Sequence, residues 1–126
     1  MDGSYLGASA ICFEGVSDPA SLEALACREA LALASDLMQT QVVVASDCKE
    51  VVSNISEGNG GTHAHIIREI KQMESEFQSC SFIFERRTTN IEAHSLAKYA
   101  LSLSIGRHVW LLQPPNLRCI PQNILE

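Results

Sequence analysis

The sequence predicts a single α/β domain in which strands and helices alternate along the chain. Segments with strand character alternate with segments of helical periodicity over most of the sequence. The strand segment Gln41–Ser46 has three consecutive valines at its centre, a composition typical of parallel strands that are buried on both faces. Apolar side chains recur three or four positions apart in Ala20–Met38 and Thr62–Gln78, as they do in amphipathic helices. Alternation of this kind favours a sheet with parallel neighbours and helices on its faces.

The length of 126 residues, with 46% apolar and 19% charged residues, suits one globular domain. No internal repeat or linker divides the chain, so residues 1–126 are expected to fold as a unit. The formal net charge of -6 argues against a strongly basic nucleic-acid-binding protein, whose surface would be rich in Lys and Arg. It does not argue against a nuclease in which carboxylates hold metal ions.

Cysteine usage and hydropathy favour an intracellular protein. The five cysteines are odd in number and lack a C-x-x-C spacing, so we expect reduced thiols. No apolar run approaches the roughly 18 residues that span a bilayer, and the first residues lack the basic and apolar regions of a signal peptide. We therefore expect no membrane partner and a location in the nucleus or cytoplasm.

The first half of the chain begins with a strand, predicted over Tyr5–Glu14 after the turn residues Asp2-Gly3-Ser4. The triplet Ser17-Asp18-Pro19 marks the start of the helix Ala20–Met38, because a hydroxyl or carboxylate caps a helix and proline fits its first turn. The predicted apolar face of this helix comprises Leu22, Leu25 or Ala26, Cys27, Ala30, Leu33 and Leu37.

After the valine strand and Asp47, a short helix is predicted over Lys49–Ile55, and the glycine-rich segment Gly58–Gly61 ends it. The next helix, Thr62–Gln78, has an apolar face formed by Ile66, Ile70, Met73 and Phe77. A strand over Cys80–Glu85, a polar turn and a last helix ending near Gly106 follow. We expect the tail, residues 107–115, to be extended and to pack Trp110 on the body of the domain.

Polar residues with catalytic potential lie at three places in this arrangement. Ligands of α/β sheets bind beyond the carboxyl ends of the strands, where Asp47 and the turn after Glu85 are expected to meet. Glu23 lies in the first turns of the first helix and His94 one turn into the last. Two-metal hydrolysis of phosphodiesters uses carboxylates that hold two cations about 3.5–4 Å apart, and Mg²⁺ prefers oxygen ligands.

Each candidate residue also has a purely structural interpretation. Glu23 would be stabilised by the dipole at a helix N-terminus, and Asp47 would serve as the N-cap of the short helix. His94 would be half-buried and bonded to a nearby carbonyl group. Arg86 and Arg87 either contact phosphates or form a solvated strand end.

Four segments resemble the ribonuclease H-like domains of plants (ribonuclease H type 1, reverse-transcriptase-like). They are Leu22–Leu31, with E-A-L-A-C-R-E-A-L; Val42–Val52, with V-V-V-A-S-D; Asn90–Lys98, with N-I-E-A-H-S-L-A-K; and Gly106–Trp110. Together they extend over most of the chain in the family's order. The resemblance implies a three-layer fold, with a mixed sheet and helices on both faces. It also implies a domain that hydrolyses the RNA strand of RNA–DNA hybrids with Mg²⁺.

The resemblance assigns Glu23 and Asp47 to the family's glutamate and second aspartate, which are catalytic metal ligands. His94 takes the place of the last aspartate, and because imidazole is a poor ligand for Mg²⁺, a role as general base or in product release is implied. Arg86, Arg87 and Asn90 are the implied contacts to nucleic acid.

The first catalytic aspartate of the family has no clear counterpart. Asp2 in Asp2-Gly3-Ser4 is a tempting match, but only 14 residues, Gly3 to Val16, separate it from the helix cap at Ser17. They would have to hold two strands and two turns, whereas a mean strand takes about 5–6 residues. We therefore expect Asp2 to be a turn residue and the first one or two strands of the fold to be missing.

Three functions are compatible with this sequence. The first is an RNA–DNA hybrid endonuclease, impaired because its two-metal Mg²⁺ site is incomplete. The second is an inactive relative that binds nucleic acid or protein through the same face, and the third is a truncated fragment derived from a mobile element. Loss of strands would also expose a sheet edge, so we expect marginal stability or self-association.

Overall fold

A computed structural model describes residues 6–12, 15, 18–58, 63–86, 91–99 and 102–111, without the side chains of Cys12 and residues 91–94. The elements, in chain order, are β1 (Ala8–Cys12), α1 (Pro19–Asp36), β2 (Gln41–Ser46), α2 (Lys49–Glu57), α3 (Ala64–Glu74), β3 (Ser79–Phe84), α4 (Ile91–Tyr99) and β4 (Gly106–Trp110). The predicted mixed α/β class is confirmed, and the arrangement is consistent with a ribonuclease H-like fold. Within the described ranges, no helix is long and apolar enough to cross a membrane.

The chain forms two compact units. One extends from Gly15 to Asn90 and contains α1, β2, α2, α3 and β3, and the other combines Met1–Glu14 with Ile91–Glu126. The described strands form one pair in each unit, a parallel pair in the first and an antiparallel pair in the second.

In the unit Gly15–Asn90, β2 and β3 are parallel, as predicted, with Gln41 opposite Ser79 and Ser46 opposite Phe84. Alternate positions of the pair, Val42, Val44, Cys80 and Phe82, contact the helices, whereas Val43 and Ile83 point to the exposed face. The prediction that β2 is buried on both faces is therefore wrong, since Val43 is 62% exposed. The centre of this core consists of apolar side chains from the three helices and β2: Ala24, Leu25, Cys27, Leu31, Val44, Val51, Ile55, Ile66, Ile67 and Ile70.

Helix α1 begins within the predicted triplet Ser17-Asp18-Pro19, but the cap is Asp18 and not Ser17 as predicted. Asp18 is the N-cap, its Oδ2 accepts hydrogen bonds from the backbone N–H of Ser21 at 3.1 Å and from the Ser21 hydroxyl at 2.8 Å, and Pro19 follows. These hydrogen bonds stabilise the ionised carboxyl and lower the pKa of Asp18. The cap therefore stabilises α1 above the acidic range and is lost as the pH falls through the lowered pKa.

The predicted apolar face of α1 is only partly right. Leu25 and Cys27 are buried, but Leu22 is 40% exposed, and Ala24, Leu31 and Ala34 occupy the buried stripe instead. Alanine and leucine occur on nearly every side of this helix, so spacing alone does not determine which stripe faces the core.

Helix α3 is shorter than the predicted Thr62–Gln78, and it ends at Glu74. The backbone N–H groups of Gln78 and Ser79 both donate to the Thr40 carbonyl, at 2.8 and 3.2 Å. Because these hydrogen bonds begin the pairing of β3 with β2, residues 75–78 do not continue the helix. Phe77 still packs on the core, as predicted. The glycine break is confirmed, because Gly58 caps α2 with the positive φ of 71° that glycine tolerates best.

In the second unit, β1 and β4 pair antiparallel from Ala8 opposite Trp110 to Cys12 opposite Gly106. The described part of the tail is extended, as expected, and it forms a strand that was not predicted. Helix α4 ends at Tyr99, several residues before the predicted end near Gly106. The Trp110 ring packs with its centroid 6.1 Å from that of Tyr99 and 6.4 Å from that of His108.

Candidate functional site

The carboxyl ends of β2 and β3 lie side by side. Ser46 and Phe84 are the last opposed residues, and the backbone N–H of Glu85 donates to the Ser46 carbonyl at 2.8 Å. This hydrogen bond carries the pairing one residue beyond β3. Asp47 and Arg86, the next residues on the two strands, therefore emerge at the same edge, where the sequence predicts that they meet.

Asp47 is half-buried directly after β2, and it is not the N-cap of the helix that follows. That position belongs to Cys48, whose side chain makes no capping hydrogen bond. Instead, the Cys48 backbone N–H donates to the Oγ of buried Ser46 at 3.2 Å. The interpretation of Asp47 as a helix cap is therefore wrong, and its carboxylate is not used for capping α2.

Glu23 lies on α1 one turn before Cys27, and Cys27 connects it to the end of β2. The Cys27 thiol is buried, and burial raises its pKa to about 12, with a further contribution from the negative charge of Glu23. The Ser46 side chain, one residue before Asp47, acts on the same thiol in the opposite direction. Cys27 shares the buried core with Val44, so the part of α1 that carries Glu23 packs against β2, the strand that Asp47 follows.

The position of Glu23 also bears on its structural interpretation. No acidic residue lies in the first turn of α1, since Glu23 is the fifth residue of the helix. The favourable effect of a helix dipole on a carboxylate falls off within the first turn. Stabilisation of α1 by its dipole is therefore a weak explanation for an acid at this position.

We expect Cys27 to resist alkylation in the folded protein. Its pKa of about 12 leaves almost no thiolate near neutral pH, and its burial excludes reagents. Treatment with iodoacetamide at pH 8, followed by peptide mass spectrometry, should label half-buried Cys48 before Cys27, and urea should abolish the difference. Equal labelling of both thiols in the native protein would contradict the described packing between α1 and β2.

Of the other residues considered for the site, the structure describes Arg86 and the backbone of His94. Arg86 is exposed at the edge described above. His94 is the fourth residue of α4, in the second unit, and its side chain is not among those described. Asp2, Arg87 and Asn90 lie outside the described residues.

A buried histidine joins the N-terminal ends of three helices. His63 lies before α3, with its Nδ1 3.2 Å from the Ser21 Oγ and 3.8 Å from the Asp18 Oδ2, and its Nε2 3.6 Å from the Glu50 Oε2. These partners belong to the starts of α1 and α2. Sequence reasoning missed this role, because the contacts come from helices distant in the chain and no local spacing indicates them.

The described side chains offer two carboxylates for a metal ion near the edge of β2 and β3. Among the residues that the structure describes, no group of three or more His, Cys, Asp or Glu side chains is placed to hold a metal ion. Glu23 and Asp47 supply two carboxylates. Mg²⁺ is commonly bound through one or two carboxylates together with water and substrate phosphates, so the donor types fit this ion.

Comparison with known proteins identifies a family. The family model described as reverse transcriptase-like matches residues 1–100 of the chain, a range that includes Glu23, Asp47, Arg86 and His94. No curated protein and no solved structure matches it significantly.

Proposed function

Since this chain belongs to the reverse transcriptase-like family, we propose that it is a nucleic-acid-binding domain of the ribonuclease H type that hydrolyses the RNA strand of RNA–DNA hybrids. The family is ribonuclease H-like, and its membership suggests a hydrolase-type function on nucleic acid. The finer assignment to hybrids rests on the motifs around Glu23, Asp47 and His94.

One observation supports this proposal above the others. Asp47 and Arg86 emerge together at the carboxyl edge of the parallel strands, and α1, which carries Glu23, packs against β2 through buried Cys27. Two carboxylates and a guanidinium at such an edge supply what phosphodiester hydrolysis requires, namely anionic metal ligands and a cation that can contact phosphate.

Each candidate site residue has a proposed role. Glu23 and Asp47 would hold Mg²⁺, the ion that the family generally uses. When bound, Mg²⁺ lowers the pKa of a water and offsets negative charge on the phosphate. Arg86, Arg87 and Asn90 would position the nucleic acid through its backbone. His94 would transfer a proton during hydrolysis or product release, an assignment that rests on its place in the family motif alone.

A second candidate function is binding without cleavage. The observation that favours it is His94 at the place of the family's last aspartate, because imidazole is a poor ligand for Mg²⁺. A domain of this kind would bind a nucleic acid or a protein at the same edge. It would cleave a bound nucleic acid slowly or not at all.

The two candidates are separated by binding and cleavage assays on one hybrid. The ligands are a fluorescein-labelled RNA–DNA hybrid and the matching duplex DNA and duplex RNA. Fluorescence anisotropy measures their binding to the protein in Ca²⁺. Incubation in Mg²⁺ followed by a denaturing gel measures cleavage. The first candidate predicts preferential hybrid binding and RNA-strand cleavage that EDTA abolishes. Binding without cleavage would favour the second candidate. Failure to bind any of the three duplexes would contradict the first candidate and nucleic-acid binding by the second, and would leave only protein binding.

We also propose that the chain self-associates through its sheets. Each of the four described strands pairs with one other strand, so its opposite edge has no hydrogen-bonded partner strand among the described residues. Such edges can pair with another chain. Sedimentation velocity over a hundredfold range of concentration should show a rising sedimentation coefficient, whereas one monomer species throughout would contradict this.

A further inference from the structure

An aromatic ring and a lysine meet at the edge that carries Asp47. The Nζ of Lys49 lies 4.8 Å from the centroid of the Phe84 ring. Phe84 is the last residue of β3 and the partner of Ser46 in the register, and Lys49 is the first residue of α2. The pair therefore lies beside the segment from Ser46 to Lys49, which contains Asp47.

Packing does not account for this pair. By strand alternation Phe84 shares a face with Phe82 and Cys80, which pack on the core, yet Phe84 is 39% exposed. A lysine above a solvent-exposed ring contributes little to stability, so the contact alone is a weak reason to expose an aromatic side chain. The ring and the ammonium group remain accessible at one edge, where a ligand can reach both.

The local charge is compatible with a polyanion despite the net charge of -6. Lys49 is exposed with its Nζ over the Phe84 ring, and Arg86, two residues after Phe84, is exposed at the same edge. The acids near this edge are Glu23 and Asp47, the two proposed Mg²⁺ ligands, and Glu50 and Glu85, of which Glu50 faces the buried His63. A ligand that carries both flat rings and negative charges matches Phe84 and these two cations.

We propose that Phe84 and Lys49 form the surface on which one strand of the nucleic-acid substrate lies as it passes Asp47. The Phe84 ring stacks against a base, and the Lys49 ammonium contacts an adjacent phosphate, as in proteins that bind single strands with little sequence preference. This inference rests on the proposed function and specifies how the substrate is held. An acidic peptide would satisfy the lysine but not the ring.

The test measures hybrid and single-strand binding by anisotropy for four variants. Phe84→Leu keeps an apolar side chain but removes the aromatic face, and Phe84→Trp restores one. Lys49→Gln removes the ammonium. Lys71→Gln is the matched control, since Lys71 lines a cleft of about 280 Å³ with Cys80 and Ser81 near the start of β3, away from Asp47.

We expect Phe84→Leu to weaken binding at least about fivefold, the lower end of what loss of one stacked base costs, and Phe84→Trp to bind within twofold of the parent. Lys49→Gln should reduce the slope of log affinity against log salt by about 0.7–0.9, the effect of one phosphate contact. Lys71→Gln should leave affinity and slope unchanged. Thermal melts of all four variants exclude loss of folding as the cause.

Several results would overturn the inference. Unchanged binding by Phe84→Leu, or equal losses for Lys71→Gln and Lys49→Gln, would show that the ring or the position has no special role. Tighter binding of a polyglutamate peptide than of the oligonucleotides, with the same dependence on Phe84, would assign the surface to acidic protein. If the parent binds no nucleic acid at all, the proposed function fails as well; if it binds and cleaves while Phe84→Leu behaves identically, only this inference fails.

Discussion

Replacing Asp47 with asparagine is expected to reduce cleavage of an RNA–DNA hybrid about 100-fold or more. Asparagine has nearly the same shape but no charge, so it is a much poorer ligand for a hard cation such as Mg²⁺. The folded structure should tolerate the change, because Asp47 is only half-buried and does not cap α2. Initial rates in Mg²⁺ for the parent and Asp47→Asn, at equal hybrid saturation, measure the effect.

The matched control is Asp36→Asn, which removes the same charge from the last residue of α1, an exposed position at the opposite end of that helix from Glu23. Its cleavage rate should remain within about twofold of the parent, and both variants should melt within a degree or two of it. A parent that cleaves the hybrid and an Asp47→Asn variant that cleaves equally fast would exclude Asp47 from the catalytic site.

Replacing Ile70 with alanine is expected to lower the free energy of unfolding by about 2–5 kcal/mol, the usual effect of truncating a large buried aliphatic side chain. Ile70 is 0% exposed on α3 and belongs to the core that α1, α2 and β2 share. The loss combines the transfer free energy of the removed methylene and methyl groups with the cavity that rigid neighbours leave. Since domains of this size are stable by only about 5–15 kcal/mol, the effect should be large.

Urea denaturation monitored by circular dichroism measures this loss. The control is Ile105→Ala, because Ile105 is 62% exposed and its truncation should change stability by no more than about 0.5 kcal/mol. Equal midpoints for Ile70→Ala and the parent protein would contradict the described packing of α3 in the core.

Local chemistry was sufficient to predict much of the fold. The helix start at Ser17-Asp18-Pro19, the glycine stop at Gly58 and the strand Gln41–Ser46 all depend on residues close together in the chain, and the structure confirms these elements, although the cap is Asp18 rather than Ser17 and the strand is buried on one face. The parallel pairing of β2 with β3 also followed from sequence, because a helical connection between two apolar strands favours it.

The errors arose where a distant residue decides the outcome. Thr40 accepts the hydrogen bonds that end the helical path after Glu74, and β1 supplies the partner that makes the tail a strand. The buried face of α1 depends on which stripe of an Ala/Leu-rich surface meets α3 and β2. None of these contacts leaves a periodic pattern in the sequence.

The same distinction holds for the candidate site: residues within sequence motifs were predicted, and contacts between separate elements were not. Motifs predicted Glu23, Asp47 and Arg86, and the edge of β2 and β3 explains why Asp47 and Arg86 emerge together. The packing of Cys27 against β2, the contacts of buried His63 and the Lys49–Phe84 pair went unpredicted, since each depends on tertiary packing between separate elements.

The central claim is that Glu23 and Asp47 together bind a divalent cation, and the most direct test is NMR titration with Mn²⁺. Carboxylate sites for Mg²⁺ also accept Mn²⁺, whose unpaired electrons broaden nearby resonances. We expect selective loss of the amide signals of Glu23, Ser46, Asp47 and Cys48, reversed by excess Mg²⁺ and absent in Asp47→Asn, while the ion-paired Lys71 and Glu74 keep theirs. Broadening that is centred on Asp18 and Glu50 instead, or that persists in Asp47→Asn, would contradict the account.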